Sequence, residues 1–250
     1  MLNEDGEFTV TFDPIDGSSV IDCNFSVGSI FGIWATKNVI GATGRDMCGA
    51  ALSIYGTRTT CSVYNPQSTN VEEMTLMKIG NREKWIVTTP KITVAPQAKL
   101  FSISSKGIYD NPSLWKIYEQ CINAGFSLRY SGCAALDINQ LFVKKQGVYV
   151  MLHTIVHPSR LSLLYEMAPL AFLMEKAGGS ASDGQNNILD LVVGGFEDKA
   201  NFIAGSKEDV LYICEELNTE GNESGIKGSY ANLLAVKGSF GDSKSDLTKQ

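Results

Sequence analysis

The chain has 250 residues and a formal net charge of −6, with 44% hydrophobic and 19% charged residues. That length fits one large domain or two modest ones, and the acidic balance argues against a nucleic-acid binder, which concentrates basic residues on one face. No apolar run is long enough to span a bilayer; the richest, Met167–Met174, is bounded by Glu166 and Glu175.

The N-terminus, Met1–Gly6, is acidic and has no signal-peptide pattern. Phe8–Phe12 alternates, with Phe8, Val10 and Phe12 on one face of a strand that Pro14 should end at Asp13. Asp13-Pro14-Ile15-Asp16-Gly17-Ser18-Ser19 follows as a turn. Phe25–Trp34 reads as a buried strand, Asn38–Gly44 as a turn region. Arg45–Tyr55 carries Met47, Ala50, Ala51 and Ile54 at helical spacing and stops at Gly56, which predicts a helix. Thr57–Tyr64 is rich in β-formers and Asn65–Ser68 is a loop. Met74–Ile79 and Trp85–Thr89 are strands joined by a turn at Gly80-Asn81.

Pro90–Pro96 is the best internal boundary. It divides the chain into residues 1–95, residues 96–217 and a Gly-, Ser- and Lys-rich tail, 218–250, expected to be flexible apart from a short ordered piece at Tyr230–Val236. Beyond the boundary strands alternate with helices. Phe101–Ile103 is a strand. Asn111 caps and Pro112 opens a helix that Gly125 ends. Ser127–Tyr130 is a strand, Ala134–Val143 a helix and Gly147–Leu152 a strand. Arg160–Ala177 is a helix interrupted by Pro169, Asn201–Ala204 a strand, and Ser206 caps a last helix to about Leu217.

Two carboxylates, Asp13 and Asp16, stand beside Gly17, Ser18 and Ser19, whose backbone N–H groups open a helical turn. Hard cations such as Mg²⁺ want carboxylate oxygens and a phosphate wants N–H donors, so one turn can serve both. Asp-Pro and Asp-Gly are also common turn dipeptides; the seven residues together, after an alternating strand, favour the functional reading. Glu166 has apolar flanks on both sides, a costly setting for an acid unless it is paired or coordinated, and it reads as the third metal ligand. Arg129-Tyr130 is read either as a phosphate grip or as an ordinary surface pair. Arg160, a cation at a helix start, points weakly to an anion. Lys106 is a lesser candidate. His153 and His157 read as structural or surface residues. The six cysteines (Cys23, Cys48, Cys61, Cys121, Cys133, Cys214) have no C-x-x-C spacing and are expected as reduced thiols in an intracellular protein.

Three stretches carry a resemblance: Asp13–Trp34, Arg129–Asp137 (RYSGCAALD) and Leu161–Gly179. Together they resemble the family of fructose-1,6-bisphosphatases and sedoheptulose-1,7-bisphosphatases, in the inositol-phosphatase superfamily. Thr43–Asp46 and Ile54–Thr60 look nearer to the seven-carbon branch. The resemblance implies a layered α/β/α/β/α fold lacking its N-terminal helical part. It also implies removal of the 1-phosphate of a ketose bisphosphate with two or three Mg²⁺ ions per site, or Mn²⁺. Asp13, Asp16, Glu166 and the Ile15 carbonyl are the implied metal ligands, and Gly17, Ser18 and Ser19 the implied phosphoryl grip. Arg129, Tyr130 and Arg160 are the implied distal-phosphate contacts, Arg129 by reaching a neighbouring copy in a homodimer or homotetramer. The implied location is cytoplasmic, or plastid if a transit peptide lies upstream. Met151 replaces a family tyrosine, Ser104 an asparagine, and Arg160 a lysine. The family's N-terminal metal-binding and water-activating acids have no counterpart in this chain, which leaves a fragment, a truncated gene product or an inactive copy as alternatives.

Overall fold

A computed structural model describes residues 6–105, 108, 111–154, 158 and 160–219. Six strands run up and down through the first part: β1 (Thr9–Asp16), β2 (Val27–Trp34), β3 (Met47–Tyr55), β4 (Thr59–Asn65), β5 (Asn70–Ile79) and β6 (Arg82–Thr89). They form one antiparallel sheet in sequence order. Each strand pairs with its chain neighbour, so short turns suffice; Gly80-Asn81 is a two-residue turn closing Ile79 against Arg82.

The second sheet is mixed, in the order β10 (Ser180–Ser182), β11 (Phe202–Gly205), β9 (Val148–Met151), β7 (Leu100–Ile103) and β8 (Ser127–Leu128). Within it β7 lies parallel to both its neighbours, β9 and β8. The parallel links are made by α1 (Pro112–Asn123) and α2 (Ala134–Lys144). After β9 a five-residue π turn, Leu163–Met167, runs directly into α3 (Ala168–Lys176), and α4 (Lys207–Thr219) closes the described chain.

Two cores follow from this order. The inner face of the first sheet (Ile30, Leu52, Ile54) packs on α2 and α3 (Ile138, Leu170, Leu173), which rest in turn on Tyr149 and Phe202 of the second sheet. The opposite face of that sheet (Phe101, Val150, Ile203) packs on α1 and α4 through Leu114, Ile117, Val210 and Ile213. Burying each such side chain contributes about 1.5–3 kcal/mol. Among the described residues the layers are thus β/α/β/α, the expected α/β/α/β/α arrangement minus its first helical layer. The outer face of the six-stranded sheet, which no described residue covers, is apolar: Val10 pairs with Ile33, Phe12 stacks on Phe31 at 6.1 Å, and Trp85 and Val87 lie on the far strand. No helix among the described residues is long and apolar enough to cross a membrane.

Several expectations need correction. Arg45–Tyr55 is not a helix: a single turn at Gly44–Asp46, boxed by the Thr43 and Asp46 side chains, leads straight into central strand β3. Its small residues line both faces of a strand with apolar surroundings on each side, so spacing alone did not separate the two periods. β1 does not stop at Asp13 but continues to Asp16 through a register irregularity. Pro14, which has no N–H, is tolerated there because β1 is an edge strand. Pro169 does not interrupt a helix; it lies in the first turn of α3, just past the π turn. The strand expected over Ser127–Tyr130 is two residues long, and β10 was not anticipated. The Ser206 hydroxyl accepts the Gly147 N–H at 3.1 Å. Lys106, His157 and the tail beyond Thr219, with Tyr230–Val236, lie outside the described residues.

Candidate active site

The turn that ends β1 is held from below. Ser29 Oγ, on β2, donates to the Pro14 carbonyl at 2.7 Å and sits 2.9 Å from the Tyr55 hydroxyl on β3. Asp13 folds back on its own turn, Oδ1 accepting the Ile15 N–H at 3.0 Å. Gly17 then takes φ +91°, a conformation side chains rarely adopt, and starts the short turn Ser18–Val20.

Glu166 comes from the π turn. An α-helical Pro169 would leave one carbonyl without a donor; the wider turn instead lets Ala168 N–H reach Leu163 O, and Leu164 O takes the Thr11 hydroxyl at 3.3 Å. Thr11 Oγ1 also accepts Trp34 Nε1–H at 2.9 Å, so one hydroxyl ties β1 and β2 to the turn bearing Glu166. The approach is close: a Cβ on Gly32 would lie 2.9 Å from the Pro169 ring. Glu166 is buried, and its Oε2 accepts the Ser162 N–H at 2.6 Å.

The third contribution is α2. Its first turn points at Asp16, whose Oδ2 accepts the Ala135 N–H at 2.5 Å and lies 3.4 Å from Cys133 Sγ. In the same first turn, Asp137 accepts the Ser131 N–H at 3.0 Å and so pins the segment that follows Tyr130.

These three supports bring Asp13, Asp16 and Glu166 together, with a potential ligand atom from each within 4.8 Å of the others. Burial pushes all three carboxyls above their ordinary values. Glu166 rises to about 7, its burial reinforced by Asp16 and Asp13 and opposed by the Ser162 N–H and Lys199. Asp16 is raised by burial and by Asp13, against the Ala135 and Cys133 donors, and Asp13 by burial against the Ile15 N–H. Crowded, desolvated acids of this kind are neutralised by protons or by a cation, and an all-oxygen set fits a hard divalent ion such as Mg²⁺ or Mn²⁺.

The acids floor one end of a cleft of about 480 Å³ that Ile15, Gly17, Ser18 and Ser19 also line. Tyr130, Met151, Ser104 and Arg160 line the remainder. Arg129 does not join them. It lines a separate outer hollow with Phe25, Leu136 and Gln140, while Tyr130 borders both. A larger hollow of about 740 Å³ lies past Leu152 and Pro158, lined by His153, Asp183 and Asn201. It contains none of the three clustered acids, and size alone does not make it the site. Sequence reasoning missed the α2 donors, Asp137 and Ser162. The only signal for them was the position of Cys133 just ahead of a helix, where capping residues sit.

Residues 1–90 match the family described as fructose-1-6-bisphosphatase, N-terminal domain, and residues 94–218, half of the chain, match the corresponding C-terminal domain. The chain therefore belongs to the fructose-1,6-bisphosphatase family. Within it, the chain is 37% identical over 214 residues to the chloroplastic sedoheptulose-1,7-bisphosphatase of Triticum aestivum, covering 85% of this chain and 53% of that protein. It is 35% identical over 217 residues to the class 1 fructose-1,6-bisphosphatase of Trichlorobacter lovleyi, covering 85% and 66%. A Toxoplasma gondii crystal structure solved as a candidate sedoheptulose-1,7 bisphosphatase superposes with a TM-score of 0.80 at 29% identity, covering 87% of this chain and 72% of the other. The chain spans about half the length of the plant relatives it matches.

Proposed function

We propose that this cleft belongs to a divalent-cation-dependent sugar bisphosphatase that removes the 1-phosphate of sedoheptulose 1,7-bisphosphate in the cytoplasm. The observation that carries the reading is the convergence of Asp13, Asp16 and Glu166, drawn from two distant segments, onto ligand atoms within 4.8 Å of one another. Phosphate monoesters hydrolyse so slowly unaided that most of the barrier reduction must be electrostatic. Asp13, Asp16, Glu166 and the Ile15 carbonyl would hold Mg²⁺. The bound ion would supply charge neutralisation at the phosphoryl oxygens and an activated water.

The chain's own groups do the rest. The turn at Gly17, Ser18 and Ser19 lines the same end of the cleft, and we assign its N–H groups to orienting the transferred phosphoryl group. Arg160 and Tyr130 are assigned to the distal phosphate, with the Arg160 guanidinium offering paired donors. Arg129, on the outer hollow, is assigned to a neighbouring copy in a homodimer or homotetramer.

Fructose 1,6-bisphosphate is the second reading, supported by the class 1 relative, which the chain covers more fully than it does the plant ones. Comparing kcat/KM on the seven- and six-carbon bisphosphates, with Mg²⁺ and with chelator, decides. The expected result is a preference for seven carbons that chelation abolishes and Mg²⁺ or Mn²⁺ restores. A preference for six carbons selects the second reading. Release of no phosphate from either sugar with Mg²⁺ present overturns both in favour of a non-catalytic family member.

A further inference from the structure

Cys133 is a fully buried side chain that touches the acid cluster and that the roles above do not use. It stands at the cap of α2, where Sγ accepts the Leu136 N–H at 3.4 Å. The same sulfur lies 3.4 Å from Asp16 Oδ2 and 3.4 Å from the Asp16 carbonyl. A thiol has one proton to give. With Leu136 donating to the sulfur, that proton is directed at Asp16. Ala135 N–H donates to the same Oδ2, so two donors from one helical turn fix the rotation of the carboxylate. The packing leaves no slack: a Cβ on Gly17 would lie 2.8 Å from Cys133 Cβ and 2.9 Å from its sulfur.

We propose that Cys133 is a positioning residue for the cation site, its thiol proton holding Asp16 in the rotamer that meets Asp13 and Glu166. This rests on the reading of the three acids as metal ligands. Groups that orient a ligand from behind are commonly worth 10–100-fold in metal affinity, and a thiol is a weak donor. The expectation for Cys133→Ala is therefore about a tenfold weakening. Serine also accepts and donates, so Cys133→Ser should restore most of it.

The test is Mn²⁺ binding to the full chain without substrate, by calorimetry or by loss of the free-ion paramagnetic resonance signal, at a temperature where every variant is folded by circular dichroism. A purely structural cap would lower the melting temperature and leave the Mn²⁺ dissociation constant where it was. Expected are weakened binding in Cys133→Ala, recovery in Cys133→Ser, and a sugar KM in saturating metal that moves less than twofold in either. Wild-type affinity in Cys133→Ala, or no recovery in Cys133→Ser, overturns the proposal alone. Absence of Mn²⁺ binding in the unmodified chain overturns the metal-ligand reading, and this proposal with it.

Discussion

The two ends of the cleft are built differently. At the acid end each carboxylate has a backbone donor of its own: Ile15 for Asp13, Ala135 for Asp16, Ser162 for Glu166. Those donors sit on an edge strand's turn, a helix start and a π turn, and Glu166 is only 7% exposed. At the other end Tyr130 is 39% exposed, Arg160 is exposed, and Arg129 faces a different hollow. Geometry fixed by main-chain groups tolerates little change. A distal grip made of long exposed side chains supplies charge more than position.

Asp16→Asn should break the comparison most severely. The amide oxygen still accepts the Ala135 N–H, so the fold should survive, but a charge needed by the cation is gone. Turnover in Mg²⁺ should fall by about a thousandfold, ~4 kcal/mol, with the melting temperature nearly unchanged. Unchanged turnover would mean that the acid end is not the reacting end.

Asp137→Asn asks whether α2 supports both ends. Burial raises the Asp137 carboxyl from 3.8 to about 6, against the Ser131 N–H. The folded carboxyl thus keeps its proton to higher pH than the unfolded one. The penalty is absent below about pH 4, grows as pH rises to about 6, and is constant above, reaching at most ~3 kcal/mol. Urea unfolding of the wild type at a series of pH values should show that loss. Asparagine, neutral throughout and still an acceptor for Ser131, should remove the share due to Asp137 and leave that of Glu166, Asp16 and Asp13, which are raised too. The same slope in both proteins would place its origin elsewhere.

How much of this was legible in the sequence follows the same division. The turn at Gly17–Ser19 beside two acids could be read because proline and glycine constrain the backbone locally, although the strand before it runs three residues further than expected. Glu166 could be read because its apolar flanks made its burial conspicuous. The hairpin at Gly80-Asn81 and the start of α1 at Asn111-Pro112, where Asn111 Oδ1 accepts the Leu114 N–H, were equally local. What failed depended on distance or direction. Ala135 meets Asp16 across 119 positions, and no local pattern announces that. Arg129 and Tyr130 are neighbours in the chain and share the outer hollow, yet only Tyr130 also reaches the acid cleft. β3 was misread because its alanines and glycines suit a strand with one buried and one open apolar face as well as they suit a helix.

Arg160→Lys should give the smallest effect and sharpen the contrast most. Lysine keeps the charge but replaces a planar fork with a point donor on a flexible stem. If Arg160 grips only the distal phosphate, it contributes to binding substrate and transition state alike, and its loss of fit appears in KM rather than in kcat. The expected change is a KM a few-fold higher, ~1 kcal/mol or less, with kcat within twofold. Steady-state kinetics on both bisphosphates measures it, since a contact at the far phosphate should also shift the ratio of seven- to six-carbon efficiency. A fall in kcat of tenfold or more would show that Arg160 reaches the transferred phosphoryl group, and the distinction between a rigid acid end and a tolerant distal end would no longer hold.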